Sequence, residues 1–202
     1  MAAQAAVGRY TAPRGAVKHP PSAAYTSEPA QFRIGPMKRL ILVRHAKSSW
    51  ANPGQDDIDR PLNERGLRNA PEMARRLRER GQVPALAVSS PARRALATAR
   101  LMATEFGIAE ADIKIEPSLY EASVETWLRV IASLPANAGS VLMVGHNPTL
   151  TELANRLCHE PRIDNVPTCG VLCLDYDARG WKSVAASQPV DWSFDYPKRG
   201  VP

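Results

Sequence analysis

The sequence predicts an α/β fold built on a mostly parallel sheet covered by helices, and three observations carry that prediction. Short unbroken apolar runs at residues 40–43, 85–88 and 141–144 read as strands buried on both faces. Segments of helical period alternate with them, as crossovers between parallel strands require. With 202 residues and 44% apolar content, the chain is long enough for one such domain with a full core.

Residues 1–36 stand apart from this pattern. They are rich in Ala and Pro, contain Pro20-Pro21 and show no sustained period, so they cannot bury enough apolar surface to offset their ordering entropy. They read as a disordered or dispensable extension. Their Ala, Arg and Ser content loosely resembles an organelle transit peptide, although the prolines interrupt the amphipathic helix such a peptide needs. Met37 reads as an alternative start of a folded domain spanning 37–202.

The strand at 40–43 opens that domain. A helix follows, capped by Asn63 and running to about Arg80, with Leu67, Ala70, Ala74 and Leu77 expected inward and Pro71 expected to kink it. After the strand at 85–88, Ser90-Pro91 predicts a helix with serine as N-cap and proline at the first helical position. A weaker strand is expected at 113–115. Val124, Trp127, Leu128, Ile131 and Leu134 then space an amphipathic helix from about Ser123. Asn147-Pro148 after the strand at 141–144 repeats the cap-and-proline start. Residues 170–176 and 181–186, joined through Asp177-Ala178-Arg179-Gly180, read as an edge hairpin.

Composition narrows the function. The net charge is +6, but Arg9, Arg14, Lys18 and Arg33 against Glu28 put +3 of it in the extension. Basic runs such as Arg75-Arg76-Leu77-Arg78 read as solvated helix faces, and aromatic platforms are missing, so nucleic acid is not an expected partner. No stretch reaches the roughly 18 apolar residues of a membrane span, and no membrane partner or export is expected. Cys158, Cys169 and Cys173 lack metal or redox spacing. On one strand, Cys169 and Cys173 would lie about 13 Å apart, too far for a disulfide. Buried thiols in a reducing cytoplasm are expected.

Three segments converge at the carboxyl ends of the predicted strands: Arg44-His45-Ala46, Ser89-Ser90-Pro91-Ala92-Arg93-Arg94 and Gly145-His146-Asn147-Pro148. That edge is where open α/β folds bind ligands. Arginine forks and helix N-termini there suit a small dianion such as a phosphoryl group. Neighbouring guanidinium groups disfavour protonation of His45, leaving a neutral imidazole able to attack phosphorus. Charge developing on the equatorial oxygens would meet Arg44, Arg94 and, if protonated, His146. Arg93 points about 100° from Arg94 on a helix, so only one of them need face the site.

Taken in order, Leu-Val-Arg-His-Ala at 42–46, DRPLNERGLRNA at 59–70, SSPARRALATA at 89–99, Leu119-Tyr120-Glu121 and VGHNP at 144–148 resemble the histidine phosphatases, also called the phosphoglycerate-mutase-like superfamily. The resemblance spans residues 37 to about 200 and implies a three-layer sandwich. It implies that Arg44, His45, Arg94 and His146 form the phosphate pocket, with His45 phosphorylated during turnover. Glu121 falls where many members carry a proton donor, and Ser48 is expected at the pocket entrance. Ala46 replaces the family's usual glycine and Lys47-Ser48-Ser49-Trp50 follows, which looks like the SixA-type phosphohistidine phosphatases. The short chain between Glu121 and His146 argues against mutase activity.

The expected activity is therefore metal-independent dephosphorylation of a phosphohistidine-bearing signalling protein, without a cofactor. The alternatives are a general small-molecule phosphomonoesterase and an inactive phosphate-binding module, the last opposed by retention of the pocket residues.

Overall fold

The computed structural model describes residues 37–158 and 162–199, and the extension at 1–36 lies outside them. Six strands form one sheet: β1 (Met37–Arg44), β2 (Leu86–Ser89), β3 (Lys114–Ile115), β4 (Ser140–Gly145), β5 (Val171–Asp177) and β6 (Asp191–Asp195). Their spatial order is β3-β2-β4-β1-β5-β6. β1, β2, β3 and β4 run parallel, whereas β5 and β6 are antiparallel to their neighbours.

The helices are α1 (Glu64–Glu79), α2 (Arg93–Phe106), α3 (Val124–Ala132), α4 (Thr149–Leu157) and α5 (Trp181–Val184). Alternation along the strands builds two cores. Leu40, Leu42, Val141 and Met143 face α3, α4 and α5, while Ile41, Val43, Leu142 and Val144 face α1 and α2. The result is the predicted three-layer arrangement. Among the described residues, no helix is long and apolar enough to cross a membrane.

Several sequence-based expectations are corrected in detail. The Asn63 cap holds, its side chain accepting from Gly66 N at 3.0 Å, and α1 runs uninterrupted through Pro71. Leu67, however, is 51% exposed. The inward position of the first turn is Gly66 instead, whose backbone lies so close to Lys47 that an added Cβ would sit 2.3 Å from Lys47 O. Residues 181–186 do not form a strand. Trp181 and Val184 are both buried at helical spacing, and Trp181 Nε1 donates to Pro135 O and Ala138 O. The true edge strand is β6, whose DWSFD sequence buries one face only partly and so resembles a polar loop.

The three cysteines are buried free thiols, as expected. Burial pushes the Cys169 and Cys173 thiols up to about 12. Cys169 precedes β5 rather than sharing it.

Candidate functional site

Sheet register brings the two histidines together. β1 pairs with β4 so that Arg44 lies beside Gly145, and β4 pairs with β2 so that Val144 lies beside Ser89. The ladder runs one residue further, with His45 N donating to Gly145 O at 2.9 Å and Ser90 N to Val144 O at 3.0 Å. His45 and His146, each one residue past its strand, therefore stand next to each other with ring centroids 5.1 Å apart. Gly145 is required between them, because a Cβ there would fall 2.3 Å from the Trp127 ring.

The hydrogen bonds determine the tautomer of His45. Its Nδ1 lies 2.8 Å from Ala46 O, which can only accept, so Nδ1 carries the proton. Nε2 is left with its lone pair and accepts from Arg94 Nε at 3.3 Å. Burial holds His45 far below its usual range, at about 3, and His146, Arg94 and Arg44 add to the effect. Desolvation at 8% exposure is the larger cause, ahead of the arginines expected from the sequence. The turn is fixed from behind by buried Thr98, which accepts from Ala46 N at 3.0 Å.

Burial likewise holds His146 far below its usual range, at about 4, with Arg94 adding to the effect. Its Nε2 sits 2.8 Å from Ser90 Oγ. That oxygen also accepts weakly from Ala92 N at 3.4 Å. Among the described residues, His146 Nδ1 is buried with no hydrogen-bond partner. Arg44 Nη1 donates to Val166 O at 2.8 Å, while its buried Nε has no partner either. The Nε2 lone pair of His45 thus faces Arg94, with the His146 ring beside it.

This use of Ser90 and Asn147 also explains why the helix starts are displaced. α2 begins at Arg93 and α4 at Thr149, and neither has a side-chain cap. Ser90 is committed to His146, and the Asn147 amide donates to Asn165 Oδ1 and Val166 O.

Arg94 is buried and faces His45, whereas Arg93 is exposed. Ser48 is buried, and its hydroxyl accepts from Arg60 Nη2 at 2.7 Å, so it is tied to the pocket only through Arg60. Glu121 is exposed, in a left-handed turn at φ 50, two residues before the Ser123 cap rather than at a helix start. Among the described residues, its side chain has no hydrogen-bond or ion-pair partner.

Asp57, Arg60 and Tyr120 had no role assigned from the sequence, although Arg60 and Tyr120 lie within the matched motifs. Asp57 accepts from Arg94 Nη2 at 2.8 Å, from Arg60 Nη1 at 2.7 Å and from Tyr120 OH at 3.1 Å. Tyr120 meets the His146 ring edge-on. Burial acts against the charge on Asp57, yet the Arg94 and Arg60 bonds hold its carboxyl at about 2. The available signal was an acidic run, Asp56-Asp57-Ile58-Asp59, in the loop leading from an otherwise cationic strand end. On the other side of the site, Arg44 also lines an open polar cavity of about 940 Å³ that extends to Arg156 and Arg162.

The family model for the histidine phosphatase superfamily, branch 1, matches residues 40–133. An uncharacterized chloroplastic protein of Arabidopsis thaliana is 30% identical over 167 residues, covering 78% of this chain and 76% of that protein. A solved structure from Agrobacterium tumefaciens, named for the phosphohistidine phosphatase SixA, superposes with a TM-score of 0.64 at 34% identity, over 77% of this chain and 97% of that one. A counterpart from Nakamurella multipartitia, also named for SixA, gives a TM-score of 0.64 at 27% identity, over 80% and 96% of the two chains.

Proposed function

Because this chain belongs to the histidine phosphatase superfamily, we propose that it dephosphorylates phosphohistidine on a signalling protein, using His45 as nucleophile and no metal. The observation that carries the reading is the tautomer of His45: Nδ1 holds the proton, so the Nε2 lone pair faces Arg94, with the His146 ring centroid 5.1 Å away. The buried Arg44 Nε, left unpaired, costs about 1–3 kcal/mol, a cost that a phosphoryl group would relieve by accepting from it.

In the first step, His45 Nε2 attacks phosphorus while the P–N bond to the substrate imidazole breaks and the electron pair leaves with that ring. Arg44, Arg94 and His146 meet the charge on the equatorial oxygens. In the second step, water attacks the phosphohistidine, the His45–P bond breaks and inorganic phosphate departs. Glu121, as proton donor, would have to reach inward from an exposed turn. An imidazole leaving group lessens that demand, because it needs less acid assistance than an alkoxide.

Support for a protein substrate comes from the openness of the site. Residues between Glu121 and His146 are mostly taken up by α3 and β4, which leaves little of that segment for a lid to enclose a metabolite. The cavity beyond Arg44 offers room for side chains of a partner. Three buried free thiols suit the reducing cytoplasm that completes this proposal.

The test is a turnover comparison. Catalytic efficiency toward a phosphorylated histidine domain should exceed that toward sugar phosphates or 3-phosphoglycerate by on the order of a hundredfold, equivalent to about 2.7 kcal/mol. Equal efficiency on any small ester would favour a general phosphomonoesterase.

A further inference from the structure

Every bond that Arg94 makes in the site leads to His45 or Asp57. Its Nε donates to His45 Nε2, its Nη1 to the Asp57 carbonyl and its Nη2 to Asp57 Oδ2. A phosphoryl group attacked by His45 has to use this same fork. The carboxylate of Asp57 stands where such an anion would seek its charge partner, and two anions do not share one guanidinium without repulsion.

Asp57 also has somewhere else to go. It lies on a short 3-10 turn, residues 57–59, in the loop between β1 and α1. Its second carboxylate oxygen is bound to Arg60, which remains attached to the loop through Ser48 Oγ and Ser49 O. The Arg60 guanidinium lies 3.2 Å from the ring centroid of Trp50, itself 73% exposed. Release from Arg94 therefore leaves the carboxylate still paired with Arg60.

Building on the phosphatase reading, we propose that Asp57 is an internal competitor of the phosphoryl group for Arg94, and so a specificity-determining residue. A free phosphate ion must displace Asp57 with few contacts of its own. A phosphoryl group carried on a protein brings further contacts that offset the displacement. After hydrolysis, the returning carboxylate speeds release of inorganic phosphate.

Binding of inorganic phosphate and orthovanadate to the full chain, by calorimetry and by competitive inhibition, tests this. Asp57→Ala should bind both anions about tenfold more tightly than wild type, or about 1.4 kcal/mol. If that variant does not fold, the near-isosteric Asp57→Asn carries the test, with the same direction expected. Unchanged or weaker binding would overturn the proposal, because a carboxylate that merely positioned Arg94 would cost affinity when removed. The phosphatase reading fails separately, through absence of a labelled His45 phosphoenzyme, whatever the anion titrations give.

Discussion

Arg94 Nε donates to His45 Nε2 across 3.3 Å, so the arginine that should bind the phosphoryl group rests on the atom that should attack it. Both partners are buried. The contact occupies the imidazole lone pair, so Arg94 Nε must give it up to an incoming phosphorus, and it requires the proton to sit on Nδ1.

The first expected consequence concerns these two residues. His45→Ala should abolish turnover and phosphoenzyme labelling while leaving the fold intact. Residual activity above a few per cent would remove His45 as nucleophile. Arg94→Ala should be severe, costing on the order of a hundredfold or more by loss of a charge-stabilising donor. Arg93→Ala should be mild, since its side chain is exposed. The reverse order would show that the wrong arginine has been assigned.

The pH profile follows from burial. With His45 held at about 3 and His146 at about 4, neither should titrate between pH 5 and 8. Corrected for substrate ionisation, kcat/KM should then show no acid limb near 6.5. A limb there would mean a solvated nucleophile. Stability has a definite sign as well. Between the folded values and 6.5, the unfolded chain binds more protons, so stability falls as pH drops from about 6.5 toward 3. Chemical denaturation of wild type and His45→Gln at pH 7 and pH 4.5 should show a smaller acid loss in the variant.

Thr98 supplies a prediction away from the reacting atoms. Thr98→Val keeps the shape but leaves Ala46 N buried without its acceptor. The expected loss is about 1–3 kcal/mol of stability, measured by urea unfolding. A fall in kcat should accompany it as the His45 turn loosens. A fully stable and fully active variant would show that Thr98 does not hold the turn.

Metal dependence is directly testable. Among the described residues, no group of three or more His, Cys, Asp or Glu side chains is placed to hold an ion. Activity should be unchanged by EDTA. A rate that collapses in chelator and returns with a divalent cation would refute the metal-independent mechanism.

Much of this site was legible from local pattern. Unbroken apolar runs identified β1, β2 and β4 because a strand buried on both faces leaves no room for polar alternation. Arg44, His45, Arg94 and His146 followed, since each stands at or just beyond such a strand and the parallel topology carries all of them to one edge. The Asn63 and Ser123 caps were also readable, their side chains bonding only three residues ahead.

Tertiary structure decided what sequence distance conceals. Ser90 and Asn147 look like caps, yet their polar atoms are claimed by His146 and by the Asn165–Val166 backbone and side chain. Trp181 has the composition of a strand residue, but it turns into a helix because its indole N–H finds carbonyls some 40 residues away in sequence. Asp57 reads as loop acid, and only the fold brings it onto Arg94. Long-range pairing has no periodic signature, so a residue whose role depends on such a partner is invisible until the chain is folded. Desolvation is equally non-local: the depth that holds His45 neutral is created by the sheet and two helix layers together, and no neighbour in the sequence announces it.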